Sequence, residues 1–153
     1  MHKLDDLDRR ILRVLQDDAT LTAAQLGARV NYAPASCWRR VERLERDGII
    51  TARRIVIDPK ALGYEVEVSL RITLDKTQSN AFDLFIAAAH EIPEVNEIQT
   101  FLGRVDVRLN VLARDMAHYQ QIYRTRILKL PYIADIEALM LISNVLEREV
   151  LPV

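Results

Sequence analysis

Arginine is the residue type in this chain best able to bind a charged partner, and it is concentrated in one stretch. Residues 29–54 contain seven arginines and three acidic residues. Residues 1–60 carry 12 Lys/Arg and 9 Asp/Glu, whereas residues 61–153 carry 9 and 13, so a net charge of −1 conceals two parts of opposite sign. Such asymmetry indicates that the first part binds a polyanion. Arginines on a solvent-facing helix would give the same count, so the spacing of the arginines has to distinguish a binding surface from a solvent-facing one.

The spacing places most of these arginines on the outer face of one helix. The helix is predicted to begin at Pro34, which suits the first helical position, and to end near Asp47, where Gly48 stops it. At about 100° per residue, its buried face consists of Cys37, Val41 and Leu44. The opposite face and its flank consist of Ala35, Ser36, Arg39, Arg40, Arg43 and Arg46. Small side chains followed by basic ones at the start of a helix fit the major groove of DNA.

Two shorter helices are predicted before this one. The first has Asp5 or Asp6 as its N-cap. Its apolar face consists of Leu4, Leu7, Ile11, Val14 and Leu15. The second begins at a capping box formed by Thr22 and Gln25, and it ends at Asn31, a residue type that tolerates the left-handed conformation of a tight turn. Two helices joined by a short turn, the second of them basic, predict a helix-turn-helix.

A helix-turn-helix gives each outward side chain of the basic helix a role. Ser36 and Arg39 are placed for base edges, and Arg40 and Arg43 for phosphates. Trp38 is expected to pack in the core or on its flank rather than on the sugar-phosphate backbone. The predicted DNA-binding residues are Ala35, Ser36, Trp38, Arg39, Arg40 and Arg43. The alternative is a plain three-helix domain whose arginines face solvent.

The rest of the sequence changes to the period of two that is typical of strands. Residues 66–74 alternate between apolar and polar side chains, which predicts a strand with one buried face. A helix, strands near 95–102 and 105–113, a second helix and a strand near 133–142 follow. Ile92-Pro93 and Leu130-Pro131, 38 residues apart, each begin an apolar-Pro-x-apolar-x-x-apolar motif where a helix is followed by a strand. Two βαβ units in tandem predict a ferredoxin-like βαββαβ sandwich, so the chain is expected to be α+β.

Three segments of the chain are similar to the leucine-responsive/AsnC (feast/famine) family of transcription regulators. They read LDRRIL at residues 7–12, ASCWRRVERLERDGII at residues 35–50 and IDPKALG at residues 57–63. Ala33 stands where the family usually has a Ser or Thr N-cap, and Asn31 where it usually has Gly.

The resemblance extends over nearly the whole chain and implies three regions. They are a helix-turn-helix (winged-helix-like) DNA-binding domain in residues 1–48, a strand and hinge linker in residues 49–63, and a ferredoxin-like ligand-sensing and oligomerisation domain in residues 64–153.

The resemblance also implies partners. Members of the family form homodimers through their C-terminal domains, and the dimers assemble further, for instance into octamers. Two-fold related helices then read a pseudo-palindromic operator in double-stranded DNA. Leu139 and Leu141, on the polar side of the last strand, favour a subunit on that sheet face. Because the family's effector is usually an amino acid, the resemblance implies a sequence-specific regulator that responds to a small molecule.

In the family the effector lies near a loop of the form Gly-acid-aromatic-Asp-aromatic. Residues 103–107 read GRVDV, which keeps the glycine and the aspartate and loses the acid and both aromatic residues. The resemblance implies Leu102, Gly103, Arg104 and Asp106 as effector-binding residues, with Asp106 holding an ammonium and Arg104 a carboxylate. An arginine in place of the acid favours a polar or acidic effector. Two alternatives stay open: Gly103 is only a tight turn and Asp106 an exposed strand residue, or Arg104 pairs with Asp106 or with an acid of a neighbouring subunit and closes the site.

The sequence indicates no enzyme. It has no glycine-rich phosphate loop, no Ser/His/Asp arrangement and no paired metal ligands, so we expect no catalytic residue, no metal and no cofactor. Cys37 is expected to be a small buried apolar residue. No apolar run is long enough to cross a membrane. We therefore expect a cytoplasmic protein associated with the nucleoid.

Two other functions share parts of this pattern. Sirohaem decarboxylases resemble the same two-domain architecture, and His90 and His118 would then be candidate tetrapyrrole contacts, but the basic helix would have no role. An architectural DNA organiser would use the basic helix with little sequence preference, because such proteins bind backbone and shape.

Overall fold

A computed structural model describes residues 4–145 and 150–153 of the chain. The chain divides into two compact units. Residues up to 56 together with those from 145 onward form the first unit, and residues 57–144 form the second. The sequence placed residues 64–153 in one domain, whereas the structure assigns the last residues to the first unit.

Three helices make up the regular structure described in the first unit. They are α1 (Asp6–Asp17), α2 (Ala23–Val30) and α3 (Pro34–Arg46). The Asp5 carboxylate accepts the N–H of Asp8, and the Asp8 carboxylate accepts the N–H of Asp5, so the N-cap of α1 is a reciprocal capping box. Thr22 and Gln25 form the same arrangement at α2, as the sequence predicted.

Two residues set the turn between α2 and α3. Asn31 adopts the predicted left-handed conformation, with φ 53° and ψ 55°. Gly27 lies within α2 where a Cβ atom would be 2.8 Å from the carbonyl oxygen of Tyr32 and 3.0 Å from the Cα of Pro34. Ala33 precedes α3 without a side-chain cap, which agrees with the sequence. The absence of a side chain at Gly27 therefore allows the start of α3 to lie close to α2.

The core of the first unit includes side chains from all three helices, and the last described residues pack beside it. Its buried members are Leu7, Ile11, Leu12, Leu21, Leu26, Val30, Cys37, Val41 and Leu44. Val153 packs against this cluster and accepts a hydrogen bond from the Arg13 side chain. The Gln16 amide donates to the Leu151 carbonyl (3.2 Å) and accepts the Leu151 N–H (2.6 Å). These contacts explain why residues 150–153 belong to the first unit.

The second unit contains a four-stranded antiparallel sheet in the order β2-β3-β1-β4. The strands are β1 (Val66–Leu74), β2 (Val95–Thr100), β3 (Val107–Ala113) and β4 (Ile133–Met140). Helix α4 (Ala81–His90) lies between β1 and β2 in the chain, and α5 (Met116–Thr125) lies between β3 and β4. This is the predicted βαββαβ topology.

One face of this sheet is buried under the two helices. The cluster contains Val68, Leu70, Ile72 and Leu74 from β1, Val107, Leu109, Val111 and Ala113 from β3, and Phe85, Ala89, Tyr119 and Ile122 from the helices. The alternation read from residues 66–74 is confirmed, because Val68, Leu70, Ile72 and Leu74 are buried and Arg71 is exposed. The other face carries mostly polar side chains.

Residues 51–58, within the segment where a strand was expected, form no regular structure, and only Lys60–Leu62 make a short 3-10 turn. Ile55, Val56 and Ile57 are exposed there. A strand needs the backbone of another strand to satisfy its N–H and C=O groups. The described part of the chain offers none to this segment.

Candidate nucleic-acid interface and ligand loop

A cleft of about 380 Å³ opens on the outer side of α3, and we call it the basic cleft. It is lined by Tyr32, Ser36, Arg39, Arg40, Arg43 and Arg46. Four of these six side chains are arginines, so the cleft attracts phosphate groups. The structure thus brings together four of the six predicted DNA-binding residues. Ala35 is exposed one position before Ser36, while Trp38 is half-buried, and neither lines the cleft.

Ser36 and Arg39 lie in the first two turns of α3. One Nη atom of Arg39 is 3.2 Å from the Ser36 hydroxyl, and the Arg39 side chain is exposed. One bond to a neutral hydroxyl leaves the other guanidinium donors available, and a guanidinium pairs with the O6 and N7 atoms of guanine. Arg39 therefore keeps guanidinium donors available at the start of α3.

Arg40 and Arg43 are engaged differently, because both bind a buried carboxylate of α1. Asp8 is only 1% exposed, and its two oxygens accept from Arg40 Nη1 (2.8 Å) and Arg43 Nη2 (2.6 Å). Arg40 Nη1 also lies 2.5 Å from an Asp5 oxygen. Two guanidiniums thus face two carboxylates, and the net charge of this group is zero.

The capping geometry keeps Asp5 charged within this group. The Asp8 N–H and then the Arg40 guanidinium bind its carboxylate and lower the pKa of Asp5 from 3.8 to about 2. The hydrogen bonds that Arg40 donates to Asp5 and Asp8 in turn raise the pKa of Arg40 above its ordinary value. Asp5 is therefore ionised and Arg40 protonated at neutral pH.

Trp38 has a structural contact of its own. The guanidinium carbon of Arg53 lies 5.5 Å from the centre of the Trp38 ring, and Arg53 also pairs with Glu45 at 2.9 Å. A cation over an indole face is a stabilising interaction. Cys37, one position earlier, is fully buried, and burial raises the pKa of its thiol, as suits a packing residue rather than a nucleophile.

In the second unit, the predicted ligand loop is exposed at its start and buried at Asp106 and Val107. Leu102, Gly103 and Arg104 are exposed, and Gly103 has a φ of 151°. Asp106 is 6% exposed, and its carboxylate accepts the Leu74 N–H at 2.9 Å and lies 2.8 Å from the ammonium of Lys76. The interpretation of Asp106 as an exposed strand residue is therefore wrong, because it is buried and β3 begins only at Val107.

The electrostatics of Asp106 follow from these contacts. Burial alone would raise the pKa of its carboxyl, but the Lys76 ammonium and the Leu74 N–H outweigh burial and lower the pKa below its ordinary value. The ion pair that Asp106 makes in the structure is with Lys76, a residue that the sequence analysis did not consider. Arg104 lies two residues away and binds Thr73 through its backbone carbonyl, at 2.9 Å.

A second cleft, of about 440 Å³, lies beside Arg104, and we call it the ligand cleft. Its lining residues are Arg71, Thr73, Arg104, Val105, Asp135, Ile136 and Glu137. Two guanidiniums and two carboxylates line the same space, so the cleft offers complementary charges to both ends of a zwitterion. Of the predicted effector-binding residues, only Arg104 lines it.

Comparison with known proteins identifies both units. A winged helix-turn-helix DNA-binding domain matches residues 4–51, and an Lrp/AsnC ligand-binding domain matches residues 67–151. The glutamate uptake regulatory protein of Zymomonas mobilis is 30% identical over 152 residues, which cover 99% of this chain and 92% of the relative. The chain belongs to the Lrp/AsnC family.

Solved structures agree with this assignment over the full length of the chain. An AsnC-family transcriptional regulator from Agrobacterium tumefaciens superposes with a TM-score of 0.87 at 34% identity and covers 97% of both chains. A transcriptional regulator from Neisseria meningitidis in complex with L-Met gives a TM-score of 0.90 at 26% identity and covers 98% of this chain and 97% of the other. The predicted family, the α+β fold and the function of transcription regulator are therefore confirmed.

The residues considered for a tetrapyrrole enzyme have other surroundings in this Lrp/AsnC regulator. His90 is exposed at the end of α4. The His118 ring accepts the Arg114 N–H at 3.2 Å and lies 3.7 Å from Glu94. Within residues 4–145 and 150–153, no cluster of His, Cys, Asp or Glu has the arrangement of a metal site. No helix in the described part of the chain is long and apolar enough to cross a membrane.

Sequence reasoning missed Asp8, although a signal for it existed. Asp8 interrupts the apolar stripe of α1, since it lies four residues after Leu4 and three before Ile11. An acid on such a stripe needs a charged partner, and the arginines of α3 supply it. Lys76 left no such signal, because it lies in the loop after β1, without a repeating pattern.

Proposed function

We propose that this Lrp/AsnC regulator binds a pseudo-palindromic operator through the basic cleft of paired subunits. The exposed Ser36–Arg39 pair at the start of α3 carries the proposal, because it places a guanidinium where base edges are read. Arg40 and Arg43 bind phosphates beside it, Ala35 allows close approach, and Trp38 supports the helix through Arg53. The protein would act in the cytoplasm, on the nucleoid.

Selection from a random duplex library with the full chain, followed by footprinting, tests this function. We expect a two-fold symmetric sequence to be enriched. Arg39→Ala should relax the preference at one position of each half-site, while Arg43→Ala, which removes a phosphate contact, should weaken binding of the selected sequence. An architectural organiser would enrich no sequence. Lack of DNA binding by the wild-type chain would reject the proposal.

The proposed assembly uses the polar face of the sheet. Leu139 and Leu141 are 38% and 45% exposed on the last strand and its extension, and leaving both in water is unfavourable. We infer a homodimer across this face that assembles further, for instance into an octamer. Light scattering of the full chain and of a Leu139→Arg/Leu141→Arg variant checks this. A monomeric wild type at micromolar concentration would contradict it.

The proposed effector is an amino acid or a related acid with a polar or acidic side chain. The ligand cleft carries this proposal, because Arg71 and Arg104 suit carboxylates and Asp135 and Glu137 suit an ammonium. Leu102 and Gly103 leave the backbone of the predicted ligand loop exposed. Asp106 acts indirectly, because it fixes this loop to β1. We propose a binding function rather than catalysis.

Calorimetric titration with glutamate, glutamine, leucine and isoleucine tests the effector. We expect the wild type to bind the polar ligands and Arg104→Glu to lose the acidic one. The substitution replaces attraction by repulsion of roughly 4 kcal/mol at about 4 Å and an effective dielectric of 20. Tight binding of leucine that Arg104→Glu leaves unchanged would contradict the proposal. A purified protein that absorbs near 400 nm would instead support the tetrapyrrole enzyme.

A further inference from the structure

Asp8 is a buried acid directly behind a surface that is predicted to bind an anion. It is 1% exposed, and its partners Arg40 and Arg43 lie 32 and 35 residues later in the chain. A helix that docks on DNA phosphates gains attraction from every net positive charge. An acid that cancels such charges weakens that attraction, so its presence needs another explanation.

The hydrogen bonds to Asp8 leave other N–H donors of Arg40 and Arg43 available. Each guanidinium has five N–H donors, and Asp8 accepts one donor from Arg40 and one from Arg43. Both side chains remain partly exposed at the cleft, at 27% and 41%. They are therefore held in place with donors left for phosphate, while their charge is compensated by Asp8 and Asp5.

The other arginines of the basic cleft have no such compensation. Arg39 binds the neutral Ser36 hydroxyl. Arg46 is exposed, and the described residues include no acid that pairs with it. Among the described residues, the cleft thus contains one pair of arginines without a carboxylate partner and one pair that carboxylates hold.

We propose that Asp8 is a specificity-determining positioning residue for Arg40 and Arg43. It keeps these arginines from binding phosphates irrespective of the DNA sequence, and it fixes them where the backbone of the operator meets them. Compensated guanidiniums add little to long-range attraction, so binding to random DNA is weak. Fixed side chains lose little rotamer entropy on binding, so the operator, whose backbone fits them, gains affinity. The inference rests on the proposed DNA-binding function.

Asp8→Asn in the full chain tests the proposal, because it removes one charge and keeps the side-chain size. The probes are a random-sequence 30-base-pair duplex and the duplex that the wild type selects. We expect affinity for random DNA to rise about fivefold at about 0.1 M salt, with a salt slope steeper by about one for each bound chain. The ratio of selected to random affinity should fall about tenfold, as the rotamer entropy of two side chains implies.

Asp6→Asn is the matched control. It is an exposed acid in the same first turn and changes the charge equally, but it has no ion pair among the described residues. It should raise affinity for random and selected duplexes alike. Asp5→Asn retains an N-cap side chain and weakens only the hold on Arg40, which keeps its bond to Asp8, so it should give a smaller change in the same direction as Asp8→Asn even if Asp8→Asn folds poorly.

The outcomes separate the possibilities. A purely structural role for Asp8 predicts that random and selected affinities fall together as the melting temperature falls, and this would overturn the proposal. Equal responses of Asp8→Asn and Asp6→Asn would also overturn it, since general charge would then explain both. Lack of DNA binding by the wild type rejects the proposed function itself.

Discussion

The two units each place an almost fully buried carboxylate beneath a proposed binding surface, and they use it in different ways. In the first unit, Asp8 binds two guanidiniums that themselves line the basic cleft. In the second, Asp106 binds a backbone N–H of β1 and the ammonium of Lys76, which is 69% exposed. The first carboxylate fixes side chains of the basic cleft, whereas the second fixes the backbone of a loop. A similar degree of burial therefore does not imply a similar role.

The largest expected effect comes from removing each carboxylate. Asp8→Ala leaves two arginines beside a buried gap and should lower the free energy of unfolding of the first unit by about 3 kcal/mol. Asp106→Ala leaves one buried N–H without an acceptor and an exposed lysine, so the second unit should lose about 2 kcal/mol. Trp38, the single tryptophan, reports the first unit by fluorescence in urea. Peptide-resolved hydrogen exchange reports the second.

The proposed difference between the two carboxylates would be contradicted if both substitutions lowered the free energy of unfolding of their units equally. It would also be contradicted if Asp106→Ala lowered it more than Asp8→Ala. A matched control in each unit is an exposed acid without a described ion pair, Asp6→Ala in the first and Asp83→Ala in the second. Both controls should change the free energy of unfolding by about 0.5 kcal/mol or less.

Substitution of glycine is expected to have the next largest effect on stability, and this effect again differs between the two units. Gly27→Ala would bring a Cβ to 2.8 Å from the Tyr32 carbonyl and 3.0 Å from backbone of Pro34, so α3 must shift. We expect a loss of about 2 kcal/mol, despite the better helix propensity of alanine. DNA affinity should fall as well. Gly103→Ala meets nothing within 4 Å and should cost only about 1 kcal/mol, from its φ of 151°.

Melting curves of the two alanine variants check this order. Ala28→Gly, at the next and exposed position of α2, is the control for helix propensity and should cost about 1 kcal/mol without altering DNA affinity. A Gly27→Ala variant that is as stable as the wild type would show that the contact with the turn does not set the position of α3.

Acidic pH should destabilise both units, whereas a change of pH near neutrality should have a smaller effect on their stability. The folded-state pKa of Asp5 is about 2, below its ordinary 3.8, and that of Asp106 is also lowered. A depressed pKa stabilises the fold fully above the unfolded value, and this contribution is lost as the pH falls through the folded value. Melting temperatures should thus fall between about pH 4 and pH 2. Asp5→Asn should reduce the dependence of the melting temperature on pH in the first unit alone. Asp106→Asn should reduce it in the second unit alone.

The sequence predicted what depends on local patterns. The alternation of residues 66–74, the N-cap at Asp5 or Asp6 and the capping box at Thr22 each need neighbours only a few positions away. The role of Asp8 depends on arginines more than 30 positions later, which no local period reveals. The burial of Asp106 depends on the backbone of Leu74 and on Lys76, and the packing of residues 150–153 on Arg13 and Gln16. Such contacts arise only from the assembled fold.

The smallest expected effect distinguishes a direct from an indirect role of Asp106. Lys76→Gln removes a largely exposed partner, so the second unit should lose less than about 1 kcal/mol, because water screens such pairs. Asp106 keeps the Leu74 N–H, and the loop should keep its position. If Asp106 only fixes the loop, titration with glutamate should give the same affinity for Lys76→Gln and for the control Lys129→Gln, an exposed lysine of the same unit. If Asp106 itself took the ligand ammonium, removing its competitor Lys76 would tighten glutamate binding. A clear gain in affinity for Lys76→Gln alone would therefore reject the indirect role and restore the ammonium contact implied by the family loop.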